Sequence, residues 1–483
     1  MTTPVFAVVG RVNKGKSSVV ATLAEDPAVA IAPRPGTTRT ATRFPVAVDG
    51  RVLFELVDTP GFEEADRALA WLKAEAVSPA ERPARVRHFV DAHAGTDDFI
   101  EERTLLAPIL RGASILYVVD GAHPYRPNHQ AEMEILRWTG RPGMALINRT
   151  GDGDHTETWR AALKQSFDVV RVFDAHHASF AERIALFRAF RALDDDAGPA
   201  LEAAIDALLA ERRRRRAEAA HEITDLLVDA TTLTLTETAP DQADLAGRRA
   251  ELEARFHARL RDREQAARRR VEQLYHHRAT WTEGELDRPV FDEDLFAERT
   301  WQQLGLTDGQ IIAATTSAGA AVGGAIDAAV GGASFLAGTA IGAAVGLFGG
   351  LARLGRRYAT ATPGERAADL GRRLTTPGGR PYRIGPHQNP NFPFILLDRA
   401  LLHYTDVAAR AHARQDRPRL PDARPSAALD PDTRKALAAL FATLRKTWQD
   451  VDHQTRDHLY RHVADRLEAA DPAAPIAPRL PPS

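Results

Sequence analysis

The chain has 483 residues, 44% of them hydrophobic, and 65 acidic against 63 basic residues leave a formal net charge of −2. That length carries about two to four domains, each large enough for its own core, and the balanced charge gives no whole-chain reason to expect nucleic acid. Cysteine is absent, which excludes disulfides, thiolate zinc sites and cysteine nucleophiles together and fits a cytosolic chain.

The N-terminus lacks a basic segment followed by an apolar one, so no secretory signal is visible and a cytoplasmic location is expected. Instead PVFAVVG, short, continuously apolar and rich in Val, predicts a buried parallel strand ending at Gly10. The next residues, GRVNKGKSS, spell a phosphate-binding loop. Gly10 and Gly15 let successive N–H groups face an anion, Lys16 reaches the outer phosphates, Ser17 offers a hydroxyl to Mg2+, and Ser18 continues the loop into a helix whose positive dipole end adds to the site. Two of the chain's six lysines, Lys14 and Lys16, fall here. In a chain so rich in Arg, a retained Lys suggests that a compact point charge is wanted.

Further along, VLFELVD, ASILYVVD, GMALIN and FDVVRVF alternate with helical stretches, the pattern of an α/β domain over residues 1–196. Their polar ends belong at the carboxyl edge of a parallel sheet, where such folds bind ligands. RPGTTRT and FELVDTPGF follow the phosphate loop in order, and the three together are far more specific than the loop alone. In the first, Thr38 is chosen to place its hydroxyl on Mg2+ when the outer phosphate is present, which makes the segment a switch. In the second, the strand delivers Asp58 to the metal shell and Gly61 brings its N–H to the outer phosphate.

These motifs resemble the Era-like branch of the translation-factor GTPases (the TrmE-Era-EngA-septin group), whose GRPNVGKS, GTTRD and DTPG stand here as GRVNKGKSS, GTTRT and DTPGF. The resemblance covers residues 4–196. It implies an α/β P-loop NTPase fold and a Mg2+-dependent GTPase in which Asn13 coordinates K+ beside the β- and γ-phosphates. Phe62 occupies the position after DxxG where other GTPases carry a water-orienting Gln, and a phenyl ring cannot orient water, so another group has to stabilise the transition state. Lys16, Thr38 and Asn13 are the expected catalytic residues. Lys14 departs from the family's small apolar residue and is a second candidate for the charge that K+ would supply. Guanine is read in this family through NKxD. GMALINRTGDGD puts Asn148 in place, but Arg149 replaces Lys and Gly151 stands where Asp is expected, with Asp152 one residue late. A lost double acceptor would cost about 1–3 kcal/mol of base selectivity. The last loop, near FDAHHASF, does not align, and His176 and His177 read as loop residues.

From residue 197 to 306 apolar positions recur at helical spacing, as at Leu252, Phe256 and Leu260, and strands nearly vanish. The runs ERRRRRAEAA and ARRRVEQ suggest a basic surface, yet five consecutive arginines wrap around a helix instead of lining one face, and a salt-bridged surface is the expected reading.

Residues 307–357 form the second strong signal. Residues 311–352 are almost wholly Ala, Gly, Val, Ile and Thr with one charge, Asp327, and Gly338, Gly342, Gly346 and Gly350 stand four apart. Such a stripe lets helix backbones touch, and the uncharged residues 328–352 exceed the roughly 20 needed to span a bilayer. A glycine-striped helical hairpin, membrane-inserting or membrane-attached, is expected, with a tightly packed soluble hairpin as the alternative. Residues 358–471 read as a loop, RPYRIGPHQNPNFP, followed by helices, and the Pro-rich residues 472–483 as a disordered tail.

The order of G domain, helical region and hairpin also resembles a family of bacterial GTPases with a C-terminal domain of uncharacterised role. Together these features predict a GTP-hydrolysing switch, Mg2+-dependent and K+-assisted, coupled to a membrane-associated helical domain at the inner membrane. Expected partners are GTP and GDP, a membrane and a second G domain in a homodimer, with nucleic acid disfavoured by the charge balance. The alternatives are a structural membrane protein with a degenerate nucleotide site and, since no GXXG loop of a KH domain follows, a ribosome-associated assembly GTPase as runner-up.

Overall fold

The computed structural model describes residues 3–11, 14–24, 40–149, 151, 153–192, 197–238, 245–275, 294–307, 310–311, 381–409 and 424–471. They fall into two compact units, divided between Arg213 and Arg214, the second running on to Asp471.

The first unit is built on a six-stranded sheet. Its strands are β1 (Val5–Val9), β2 (Thr42–Val48), β3 (Arg51–Asp58), β4 (Ser114–Asp120), β5 (Gly143–Asn148) and β6 (Val169–Phe173), in the order β2-β3-β1-β4-β5-β6. Only β2 runs antiparallel to its neighbour; β3, β1, β4, β5 and β6 are parallel. Alternate residues of β1 go to opposite faces, as strand geometry requires. Phe6 and Val8 join one core layer with Val19, Val20 and Leu23, while Ala7 and Val9 join the other with Phe62, Leu72 and Phe89. The chain turns to one side of β1 for β2 and β3, then crosses to the other side for β4, which leaves a crevice at the carboxyl ends beside β1. Register sets what lines it. Val8 stands opposite Asp58, and Asp120 opposite Asn148, which in turn stands opposite Phe173. The α/β class expected from the apolar runs is therefore found, with one strand added. β2 contains Pro45, is largely exposed and occupies the sheet edge, where a residue without an N–H is tolerated.

Helix α1 (Lys16–Ala24) follows the first strand directly. Between β3 and β4 come three helices, α2 (Ala65–Lys73), α3 (Arg82–Ala92) and α4 (Ile100–Leu110), and further on α5 (Asn128–Trp138), α6 (Thr156–Leu163) and α7 (Phe180–Arg191) cover the sheet. Helix α8 (Gly198–Thr232) gives Leu201, Ala204 and Ile205 to the first unit's core.

The second unit is mainly helical. The later part of α8 gives it Ile223 and Leu227, and α9 (Leu245–Leu274) gives Leu252, Phe256 and Leu260, at the helical spacing anticipated. They pack with α10 (Glu298–Gln303), α11 (Phe392–Ala409), α12 (Pro431–Lys446) and α13 (His453–Ala470). The sequence hid one feature here: β7 (Leu235–Thr238) pairs antiparallel with β8 (Pro381–Ile384), so part of the RPYRIGPHQNPNFP stretch is strand, not loop. Several arginines of the basic runs have intramolecular partners. Arg214 meets Glu218, Arg216 meets Glu468 and Arg268 meets Glu264, and Arg263, four residues before the second run, meets Glu222 and Asp229. Among the described residues no helix is long and apolar enough to cross a membrane. The glycine-striped residues 312–352 lie outside the described residues.

A candidate nucleotide site at the sheet edge

The loop between β1 and α1 is shaped by glycine. Gly10 has φ 142°, and a Cβ there would lie 2.3 Å from the Val118 carbonyl oxygen, so the backbone passes β4 at a distance only glycine permits. Gly15, at φ 77°, turns the chain into α1, whose first hydrogen bond runs from Val19 N–H to Gly15 O at 2.9 Å. Lys16 is buried and its Nζ donates to the Gly10 and Arg11 carbonyls at 3.2 and 2.9 Å. Burial pushes its ammonium down to about 8, with the Asp58 and Glu132 carboxylates pulling the other way. A phosphate at the loop would offer this ammonium an anionic partner in place of carbonyl dipoles. Ser18 is buried on the same helix, while Asn13 lies outside the described residues.

Ser17 and Asp58 come together from the first helical turn and the end of β3, the Ser17 hydroxyl donating to Asp58 Oδ2 at 2.7 Å. Two hard oxygen donors this close fit Mg2+, which prefers a few protein oxygens and shares the rest of its shell with phosphate and water. Thr38 lies outside the described residues. Beyond β3, Thr59 donates to Val8 O at 2.8 Å, Gly61 is buried, and the Phe62 N–H reaches Gly10 O at 3.3 Å. The Phe62 ring sits in the core layer with Val9 and Leu72. It is a packing residue that fixes the start of this segment to the phosphate loop.

At the other end of the crevice Asn148 is fully buried. Its Nδ2 donates to Lys14 O at 3.4 Å and its Oδ1 accepts from Ala175 N–H at 3.2 Å, so one side chain ties the phosphate loop to the loop after β6. That last loop could not be aligned from sequence. Asp174 organises it: Oδ1 accepts from the N–H groups of His176 and His177, and Oδ2 lies 3.0 Å from His177 Nδ1. Gly151 is exposed, and a Cβ there would meet only Ala122 Cβ at 3.7 Å, an ordinary contact. Asp152 lies outside the described residues.

Comparison with known proteins finds two family matches, and the one later in the chain begins within the first compact unit. Residues 160–469, more than half of its length, match the family described as a domain of unknown function, DUF3482. The chain belongs to the DUF3482 family. Its residues 5–149 match the family described as 50S ribosome-binding GTPase. GTPase Der of Lactobacillus helveticus (strain DPC 4571) is 40% identical over 96 residues, 19% of this chain and 21% of that one, so the match spans about a fifth of that relative. Among solved structures, Era of Aquifex aeolicus bound to GDP and AlF4− aligns over 57% of this chain and 90% of its own at 16% identity and TM-score 0.28. Era with MgGDPNP and a segment of 16S ribosomal RNA gives the same coverage at 14% identity and TM-score 0.28. The N-terminal α/β sheet of this DUF3482 protein has the fold typical of a P-loop G domain.

Several side chains near the phosphate loop escaped sequence reasoning, chiefly because Lys14 and Arg11 find their acidic partners more than a hundred residues away. Lys14 Nζ lies 3.4 Å from Asp120 Oδ2, which also sits 2.6 Å from His123 Nδ1. Glu132, fully buried on α5, accepts from the Tyr117 hydroxyl at 2.8 Å and lies 3.4 Å from Arg11 Nε. Burial pushes its carboxyl up to about 8 against the pull of Tyr117 and Arg11. The only advance signal was Asp120 itself, ending an apolar run beside the loop.

Proposed function

We propose that this DUF3482 chain is a GTP-hydrolysing molecular switch whose nucleotide state controls its helical unit. The observation that supports the reading best is the convergence of Lys16, Ser17 and Asp58 on one sheet edge, held there by a loop that only glycine at position 10 can form. In this reading the N–H groups around Gly10 and Gly15 cradle the phosphates and Lys16 neutralises the β/γ oxygens. Ser17, Thr38 and Asp58 hold Mg2+, and the Gly61 N–H reports the γ-phosphate. Asn148 orders the base edge and Asp152 accepts from guanine. When bound, Mg2+ and K+ supply charge neutralisation at the transferring phosphoryl group. Asn13 would hold the K+. Lys14 already faces the Asp120 carboxylate, which favours Asn13 over Lys14 as the origin of catalytic charge. Phosphate release should therefore be faster in KCl than in NaCl at equal ionic strength, and Asn13→Ala should remove the difference; equal rates in both salts would return the role to Lys14 or to a partner protein.

Membrane attachment through residues 311–352 is the second part of the proposal and rests on the glycine stripe and the uncharged run. Fractionation followed by an alkaline wash tests it. Native protein should stay with the membrane and protein lacking residues 311–352 should not, while native protein found wholly in the soluble fraction would reject insertion.

A further inference from the structure

Helix α2 starts at Ala65, a short step after Gly61, and lacks a side-chain cap of its own at Glu64. Both of its ends are held by α3 and α4. At the start, Glu102 of α4, fully buried, accepts through Oε1 from the Glu63 and Glu64 N–H groups at 2.9 and 2.7 Å. At the finish, Arg85 of α3, also buried, donates from Nη2 to Trp71 O at 3.1 Å and from Nε to Leu72 O at 3.4 Å, with its guanidinium 4.0 Å from the Trp71 ring centroid. A carboxylate at the N-terminus and a guanidinium at the C-terminus are the signs a helix dipole favours. The two anchors are carried on one preformed hairpin. Arg103 closes the turn between α3 and α4 by donating to the His93 and Thr96 carbonyls, and Phe89 and His93 pack edge-on against Trp71 at 5.3 Å. Few arrangements would shift α2 without breaking one anchor. Among the described residues, Glu102 Oε2 is buried with no hydrogen-bond partner, and burial holds this carboxyl above its ordinary value against the Glu64 and Glu63 N–H groups, so losing those two donors would leave it still less solvated.

We propose that the α3–α4 hairpin is a two-ended clamp on the segment that senses the γ-phosphate, with Glu102 and Arg85 as its positioning residues. The inference rests on the GTPase reading above, in which Gly61 meets the outer phosphate. If binding GTP draws residues 61–64 toward the phosphate loop, it works against or with the Glu102 contact, and by linkage the clamp sets how strongly the chain distinguishes GTP from GDP. The hairpin is thereby the element through which nucleotide state is passed on.

The test uses the full chain with Glu102→Gln, Glu102→Ala and Arg85→Lys, measuring hydrogen exchange along the backbone and the affinities for GDP and a non-hydrolysable GTP analogue. Glu102→Ala should speed exchange of residues 61–73 by about tenfold, as expected for one or two lost hydrogen bonds, and shift the ratio of the two affinities by a similar factor. Glu102→Gln, which keeps an acceptor oxygen but not the charge, should lie between Ala and native, and Arg85→Lys should act on residues 70–73 alone. An unchanged affinity ratio, or faster exchange spread over the β1 and β4 peptides, would overturn the clamp. Failure of the unsubstituted chain to bind either nucleotide would instead overturn the GTPase reading beneath it.

Discussion

At the phosphate edge, Gly10, Lys16, Ser17 and Asp58 meet through backbone geometry and short contacts. At the base edge, Asn148 is locked between Lys14 and Ala175, but the position where a carboxylate is expected is Gly151. The contrast follows from what each edge demands. Phosphate binding relies on N–H groups and one ammonium fixed by a contiguous loop, so a few residues at set spacing suffice. Base selection relies on a single side chain with two good hydrogen bonds, so one displaced residue changes selectivity while leaving the fold and the phosphate loop untouched.

The largest effect on that contrast should come from Gly151→Asp. A Cβ at Gly151 meets nothing closer than 3.7 Å, so the substitution should be accepted and should raise the preference for GTP over ATP by about tenfold, the value of one to two hydrogen bonds. Competition against a fluorescent guanine nucleotide measures it, and Asp152→Asn in the same assay should lower the preference of the native chain. An unaltered GTP/ATP ratio in both variants would mean that neither position faces the base.

A smaller effect concerns the groups beneath the phosphate edge. Folding raises the Glu132 carboxyl from 4.5 to about 8, so between those values the folded chain holds a proton that the unfolded chain has released. Stability is then lost as pH rises from about 4.5 to about 8 and is level above. Glu132→Gln should remove that slope, and urea midpoints at pH 5.5 and 8.5 should differ less in the variant than in the native chain (pH values chosen to sit roughly inside and beyond the window). Parallel behaviour of the two proteins would show that Glu132 is ionised throughout, with Arg11 outweighing burial.

Local and distant information separate cleanly along the chain. The strands and the phosphate loop were readable because their signals are contiguous: VFAVV is buried from Phe6 to Val9 and GRVNKGKSS is one unbroken motif. β2 was missed because Pro45 and an exposed face mask its periodicity. β7 and β8 were missed because each is four residues long and neither end of the pair announces the other. The same reason hid Asp120 from Lys14, Ala175 from Asn148 and Glu102 from the start of α2, contacts 106, 27 and 38 or 39 residues apart. A charged residue inside an amphipathic helix shows in sequence as a break in pattern, and only the packed structure says which backbone groups it satisfies. Asn13, Thr38, Asp152 and the glycine stripe lie outside the described residues, and their roles rest on the motifs alone.

The most direct measurement is steady-state phosphate release from Mg-GTP in KCl by the native chain and by Lys16→Ala. Lys16 is buried against the loop carbonyls, and replacing it removes the ammonium that would face the β/γ-phosphates. Native protein should release phosphate at a rate that the variant lowers by at least about a hundredfold, a loss of roughly 3 kcal/mol of transition-state stabilisation. Release from the native chain no faster than from Lys16→Ala would contradict the reading of this DUF3482 protein as a working GTPase, and would leave it a nucleotide-binding structural protein.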